Sequence, residues 1–261
     1  MSDAVGVLRL AGFQLRSLRR NGRAVVFTVA FPVVLYVLFA AVFARGSSTT
    51  GFQGGRIDLD EYFLAGMMAY AIAMAAFSTL AISLTTQRES GLLKRFRGTP
   101  MPAWTFIGAL VIRSILLVAL EVVALLAIGR LGYGVAVSAA ALGEIAAYVV
   151  LGTFTMATLG VAITTVARTA DAAATIAPFG VLLLAFISGV FIPVSQLPDS
   201  LVQIGKLFPL AHLAEGLQAA LLSHHVHLDA ENFAVLAIWG IAGLIVAQRA
   251  FRWMPQGTGG A

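Results

Sequence analysis

Six apolar runs, each near the length that crosses a hydrocarbon layer, constrain this chain more than any other feature. They fall at roughly 24–43, 62–84, 104–128, 139–165, 172–192 and 232–250. A helix needs about 20 apolar residues to span the bilayer core, and lipid offers no partner for a free backbone amide, so each run must close its own hydrogen bonds as a helix. The spacing therefore predicts an all-α, polytopic integral membrane protein with six transmembrane helices. Charged residues make up only 11% of the chain and hydrophobic ones 59%, against about 25% charged in soluble domains.

The first run, Ala24 to Phe43, is longer than a signal-peptide core of roughly 7–15 residues. It leads into Ala44-Arg45-Gly46, a poor cleavage site, and is read as an uncleaved span. The absence of cysteine excludes a disulfide framework and thiolate metal sites. A net charge of +5 would suggest nucleic acid in a soluble protein. Here the basic residues flank the spans, and no nucleic-acid partner is expected.

Basic residues set the orientation. Arg9, Arg16, Arg19, Arg20, Arg23, Arg88, Lys94, Arg95, Arg97, Arg168, Arg249 and Arg252 fall on one side, which makes twelve. Arg45, Arg56, Arg130 and Lys206 fall on the other, which makes four. The bias predicts that both termini face the cytoplasm. The preference for Arg over Lys suggests a GC-rich bacterium, hence a bacterial plasma membrane.

One transmembrane unit, 1–261, is divided as follows. Residues 1–23 form an amphipathic interfacial helix, with Val7, Leu8, Ala11, Leu15 and Leu18 on one face and Arg9, Arg16 and Arg20 on the other. Spans one to five occupy 24–192. Residues 193–222 are too apolar for a plain loop and are broken by Pro193, Pro198 and Pro209. They are predicted to form two short re-entrant outer helices, with Pro198 and Pro209 in their first turns. Span six covers 232–250, and the Gly-rich tail 256–261 is expected to be disordered.

The stretch Gln87 to Met101 is the most informative. Leu92, Leu93 and Phe96 share one face of a short helix, with Glu89 near its start and Lys94, Arg95 and Arg97 near its end, which suits the helix dipole. Gly98 and Pro100 stop it. Such a helix can rest on lipid headgroups or plug into a soluble partner, and a peripheral basic loop is the plain alternative.

This stretch resembles the cytoplasmic loop of type-2 ABC exporter permeases, in which an acidic residue, Gly, Leu, a basic run, Thr and Pro recur in order. Ser188-Gly189-Val190-Phe191-Ile192-Pro193-Val194-Ser195-Gln196-Leu197-Pro198 and Phe208-Pro209-Leu210 resemble the end of that family's fifth span and its outer helices. Phe208 stands where the family often has Asn. The resemblance covers nearly the whole chain. It implies a pair of permease subunits, a second copy or a related chain, each resting on a cytosolic ATP-binding subunit that holds ATP and Mg. No cofactor is bound by this chain.

The resemblance also implies that Glu89, Gly91, Leu92, Leu93, Lys94, Arg95, Phe96 and Arg97 form the coupling helix, with Arg168 and Asp171 as a second contact. Spans one, two and five would line the pathway, which brings in Pro32, Pro178, Phe179, Phe186 and Phe191. Spans one and five would also meet the partner permease, with the small residues Ala172 to Ala174 and Ser188-Gly189 letting span five approach a neighbour. Spans three and four would lie at the periphery. The cargo would be drug-like, lipid or otherwise amphipathic. No G-x-x-x-x-G-K-[ST] occurs, because the Gly205-Lys206 pair has Ser200 and Leu207 at the decisive positions. Hydrolysis is therefore expected from another chain.

Arg113, Glu121 and Glu144 are charges inside spans three and four, where a charge usually faces protein or water. Contact between the two glutamates, a shared proton and a cationic substrate all stay open, with a structural polar pair preferred. Pro32 and Pro178 each remove a backbone hydrogen bond and favour a kink. His212 and Glu215, three apart, form either a helix-side pair or an outer gate, with local packing the plainer reading. His224, His225 and His227 are read as an exposed turn, and no metal site is assigned. An ion-coupled secondary transporter is the alternative class, but its inverted repeats and midplane helix breaks are not seen.

Overall fold

The computed structural model describes residues 22–43, 48–50, 56–93, 103–222 and 229–250, together with Gly12. The interfacial helix expected before residue 22, Lys94, Arg95, Phe96 and Arg97, the histidines at 224, 225 and 227, and the tail 256–261 lie outside the described residues.

The chain is a helical bundle. Helix α1 is Gly22–Phe43. A small antiparallel ladder follows, β1 Ser48–Thr50 with β2 Arg56–Asp58, in the register Thr49 opposite Ile57. These two three-residue strands lie in the connection between the first two helices, and the architecture is otherwise helical, as expected. Helix α2 runs Leu59–Glu89, and its middle, Ala73–Thr79, is wound as a π-helix. Then come α3 Ala103–Tyr133, α4 Ala139–Ile163 and α5 Ala170–Ile187. The short α6, Asp199–Gly205, and α7, Pro209–Leu222, precede α8, Ala230–Ala250.

Helices α2, α3, α4, α5 and α8 are long and apolar enough to cross a membrane. In α1, a helix of 22 residues, the apolar stretch among the described side chains is Thr28–Phe43. Helix α2 extends past the predicted 62–84 at both ends, because polar residues prolong a helix that hydropathy no longer marks. Asp60 and Glu61 lie in its first turn, where acidic groups complement the dipole. The segment after α5 divides as its prolines foretold. Pro198 is the residue before α6, with φ −58°, and Pro209 opens α7. Pro32 and Pro178 lie inside continuous helices.

Helix α2 is the axis. Every residue from Tyr62 to Ile72 is buried, and 72% of its apolar window is covered, against 22% for α5 and 28% for α8. Helix α4 is covered to 61% because α3, α7, α8 and the π stretch all pack on it. That corrects the peripheral place expected for span four. Gly160 makes the contact with the π stretch possible. A Cβ there would stand 2.8 Å from the Phe77 carbonyl oxygen and 2.9 Å from that of Ala76.

Candidate functional sites at the two ends of the bundle

Two sets of side chains tie helices together, one at each end. At the first, here called the basic end, α2 stops beside the turn between α4 and α5. Helix α4 carries no basic residue in its last turn, yet its final carbonyls gather negative partial charge. Arg88 supplies the missing cation from another helix. Its guanidinium donates to the carbonyl oxygens of Thr164 (3.2 Å), Ala167 (3.4 Å) and Arg168 (2.8 Å).

The next residue does the opposite job. Helix α5 begins with unsatisfied amides, and the Glu89 carboxylate accepts from Ala170 N–H at 2.8 Å. Thr169 Oγ1 accepts from Ala172 N–H at 3.1 Å, and Asp171 adds acidity to the same turn. Adjacent residues of opposite charge thus hold the turn just past one helix and the positive end of the next. Buried Arg88, only 8% exposed, is the stronger half, since hydrogen bonds to a charged group contribute roughly 1.5–3 kcal/mol each. Glu89 is exposed and is screened by salt.

Glu89 therefore ends α2 instead of opening the next helix. Ser90 and Gly91 make the turn, closed by Gly91 N–H donating to the Arg88 carbonyl at 3.2 Å. Gly91 has φ +72°, a conformation that costs a residue with a Cβ about 1–2 kcal/mol. Leu92 and Leu93 resume helical structure, with Leu93 fully buried. One turn deeper, Arg113 of α3 donates to Ser83 Oγ at 3.1 Å. This joins α3 to α2 and gives the buried Arg113 head a polar partner.

At the opposite, aromatic end, Phe191 sits at the centre of a ring cluster. It stacks on Phe39 of α1 (5.8 Å, 15°) and meets Tyr70 of α2 (5.2 Å) and Phe186 of α5 (5.3 Å). Phe63 packs on Phe39 at 5.0 Å. A cavity of about 280 Å³ opens among Phe39, Phe43, Phe63, Phe186, Phe191 and Pro193. The turn that carries Phe191 is fixed from α2 and α7. Tyr62 Oη donates to the carbonyl oxygens of Gly189 and Ile192, and Gln218 Nε2 donates to Gly189.

The structure brings together Glu89, Arg168 and Asp171 at one end and Phe186 and Phe191 at the other. Pro32, Pro178 and Phe179 do not line the aromatic cavity; Phe179 points outward, 65% exposed. His212 makes its hydrogen-bond contacts away from Glu215. His212 Nδ1 lies 2.7 Å from Asn232 Oδ1, and Nε2 lies 2.9 Å from the Lys206 carbonyl oxygen. The Nδ1 contact joins α7 to α8. Burial pushes the Glu215 carboxyl above its ordinary pKa.

Arg113, Glu121 and Glu144 are all buried, 7%, 1% and 4% exposed. The preferred Glu121–Glu144 pair does not form, since neither Glu121 carboxylate oxygen has a hydrogen-bond partner among the described residues. Helices α3 and α4 run antiparallel from a short connection. At 1.5 Å per residue, Glu121 is roughly 18 Å from the end of α3 and Glu144 roughly 8 Å from the start of α4, so they occupy different depths. Arg88, Tyr62, Phe39 and Phe63 went unmarked in the sequence. Arg88 stood out only as one charge among twelve.

These features define a multi-pass helical membrane protein with its helices tied together at both ends. The ABC-2 type transporter family matches residues 7–222, and the chain belongs to that family. It is a membrane permease subunit of an ABC transporter, the part that does not itself hydrolyse ATP. The family implies association with an ATP-binding subunit. The chain is similar to YvfS of Bacillus subtilis (strain 168), assigned by name to the transport permeases. The two are 23% identical over 203 residues, 78% of this chain and 80% of that protein.

Proposed function

We propose that this subunit forms half of the pathway of an ATP-driven exporter for a drug-like, lipid or other amphipathic molecule. Its basic end is the cytoplasmic one and carries the ATPase dock. The observation that carries this reading is the paired grip of Arg88 and Glu89 on the turn at 164–170. Through it a push on the Glu89–Arg97 segment reaches α2, α4 and α5 as one body. In this reading α1 completes six spans, both termini are cytoplasmic, and α6 and α7 dip into the outer leaflet without crossing it. The aromatic cluster around Phe191 then serves as the outer gate. Rings sealing a cavity between α1, α2 and α5 would part when those helices tilt, and an apolar lining suits an amphiphile. A second permease subunit supplies the other half of the pathway.

The test is co-purification from detergent extract. The native chain is expected to bring down a cytosolic ATP-binding subunit, and Glu89→Ala and Gly91→Pro are expected to lose it. Purification of the native chain alone under every condition would sink the reading and turn attention to ion-driven transport in liposomes.

A further inference from the structure

A second cavity, about 430 Å³, lies on a different face of α5 from the aromatic one. Its volume falls in the roughly 300–1,000 Å³ range of ligand pockets. Met156 and Leu159 of α4 form its floor, Leu184 of α5 and Val246 of α8 its walls, and Phe208 and Trp239 its far end. Those two rings stack at 6.4 Å and 19°.

The chemistry of the lining is one-sided. Its two hydrogen-bonding side chains are already engaged: Thr165 Oγ1 donates to the Ala162 carbonyl at 2.9 Å, and Trp239 Nε1 donates to that of Leu207 at 3.2 Å. An occupant thus meets hydrocarbon alone. The groove opens toward the basic end, where the lining residues Val166 and Val246 remain 69% and 45% exposed.

Charge stands at that opening. Helices α4 and α8 run parallel, with Thr155 donating to the Leu236 carbonyl and Thr158 to that of Gly240, offsets of 81 and 82 residues. The same offset sets Val246 level with the end of α4, and Arg249 lies one turn further along α8, on the side where the chain leaves α4 toward Arg168. Both arginines are exposed, and neither forms an ion pair among the described residues.

We propose that this groove binds one acyl chain of an anionic phospholipid, with the lipid phosphate held between Arg168 and Arg249. Basic sites between helices at the cytoplasmic leaflet attract anionic headgroups. The proposal rests on the reading above only in making the basic end cytoplasmic. It moves the Arg168 side chain from the ATPase contact to the lipid, while the Arg168 carbonyl stays with Arg88.

Trp239 reports on the groove directly. The chain holds three tryptophans, so Trp104→Phe with Trp253→Phe leaves Trp239 as the sole emitter. The full chain is reconstituted in vesicles containing brominated phosphatidylglycerol or, at equal bromine, brominated phosphatidylcholine. The anionic lipid is expected to quench at lower mole fraction, a preference on the order of tenfold for two arginines. Arg168→Gln with Arg249→Gln should abolish that preference and leave quenching by phosphatidylcholine unchanged. Ala162→Phe, which fills the groove, should weaken quenching by both. Equal quenching by the two lipids, or a preference that survives the double substitution, overturns the proposal. So does quenching by both lipids that falls as protein density and dimer cross-linking rise, because a second copy then covers the groove. No ATP-binding subunit is needed, so loss of the exporter reading would leave the result interpretable.

Discussion

At the scale of single residues, the decisive feature is that two adjacent side chains serve two helix ends. Arg88 and Glu89 are neighbours in sequence, but their partners lie about eighty residues away, at 164–170. No local pattern points there. Charge counting read Arg88 as a marker of sidedness and Glu89 as the start of a helix, although α2 runs through both. The carbonyls at the end of α4 are orphaned in sequence as well, since that helix has no basic residue of its own in its last turn. Removing the guanidinium should free the turn. Arg88→Gln is expected to speed amide hydrogen exchange at 164–170 by roughly tenfold to a hundredfold, matching the loss of about 1.5–3 kcal/mol. Glu89→Gln should give a smaller, salt-sensitive change, because its carboxylate is exposed. Unaltered exchange in Arg88→Gln would show that the turn holds without the clamp. Gly160 offers a second residue-level test. A methyl there meets two carbonyl oxygens within 2.9 Å, so Gly160→Ala should lower the thermal midpoint in detergent, at a cost of about 1–3 kcal/mol. A midpoint equal to that of the native chain would mean that α4 and α2 can separate without penalty.

At the scale of elements, hydropathy found the long helices because each must be apolar along its length, but it marks membrane depth and not helical structure. Hence α2 outran its predicted ends into Asp60 and Glu61 at one side and Gln87 to Glu89 at the other, while α5 stopped at Ile187, short of 192. Prolines announced α6 and α7 because a fixed φ both breaks the preceding helix and begins the next. The π stretch left no trace in sequence. Ala73 to Thr79 reads as an ordinary apolar run, and the close approach of Gly160 to its carbonyls belongs to another helix. Such stretches carry one residue more than an α-helix needs. Deleting Ala75 should therefore convert the segment to α-helix and leave both halves of α2 in register. The shortened chain is expected to fold and to bring down its ATP-binding subunit, yet to lose turnover, because the π segment at which α2 could give way is gone. ATP hydrolysis by the purified complex measures this. Full turnover in the deletion would make the π stretch a packing detail.

At the scale of the molecule, helices differ in how much of their surface the chain itself covers. Helix α2 is enclosed, whereas α5 keeps most of its apolar window free. In a membrane, exposure alone does not call for a protein partner, since lipid tails cover apolar side chains equally well. Close packing of helices there depends on small residues that let backbones approach. The outer face of α3 offers the large Leu116, Leu120 and Val123, with small Ala127 one turn further on. The exposed face of α5 mixes Phe179 and Leu183 with Ala174 and Thr175, and a Cβ at Gly180 would meet nothing within 4 Å. That face also borders Phe186 of the aromatic cavity, so a second permease seated on it would complete the wall of a shared pathway. The absence of cysteine makes this testable without background. Single Phe179→Cys and Leu183→Cys chains in native membranes should oxidise to covalent dimers, and Val123→Cys should stay monomeric, because a disulfide needs Cα atoms about 4.4–6.8 Å apart. Cross-linking at position 123 and not at 179 or 183 would place the partner on α3. The aromatic cavity would then face lipid in each subunit, and a pathway shared through α5 would have to be given up.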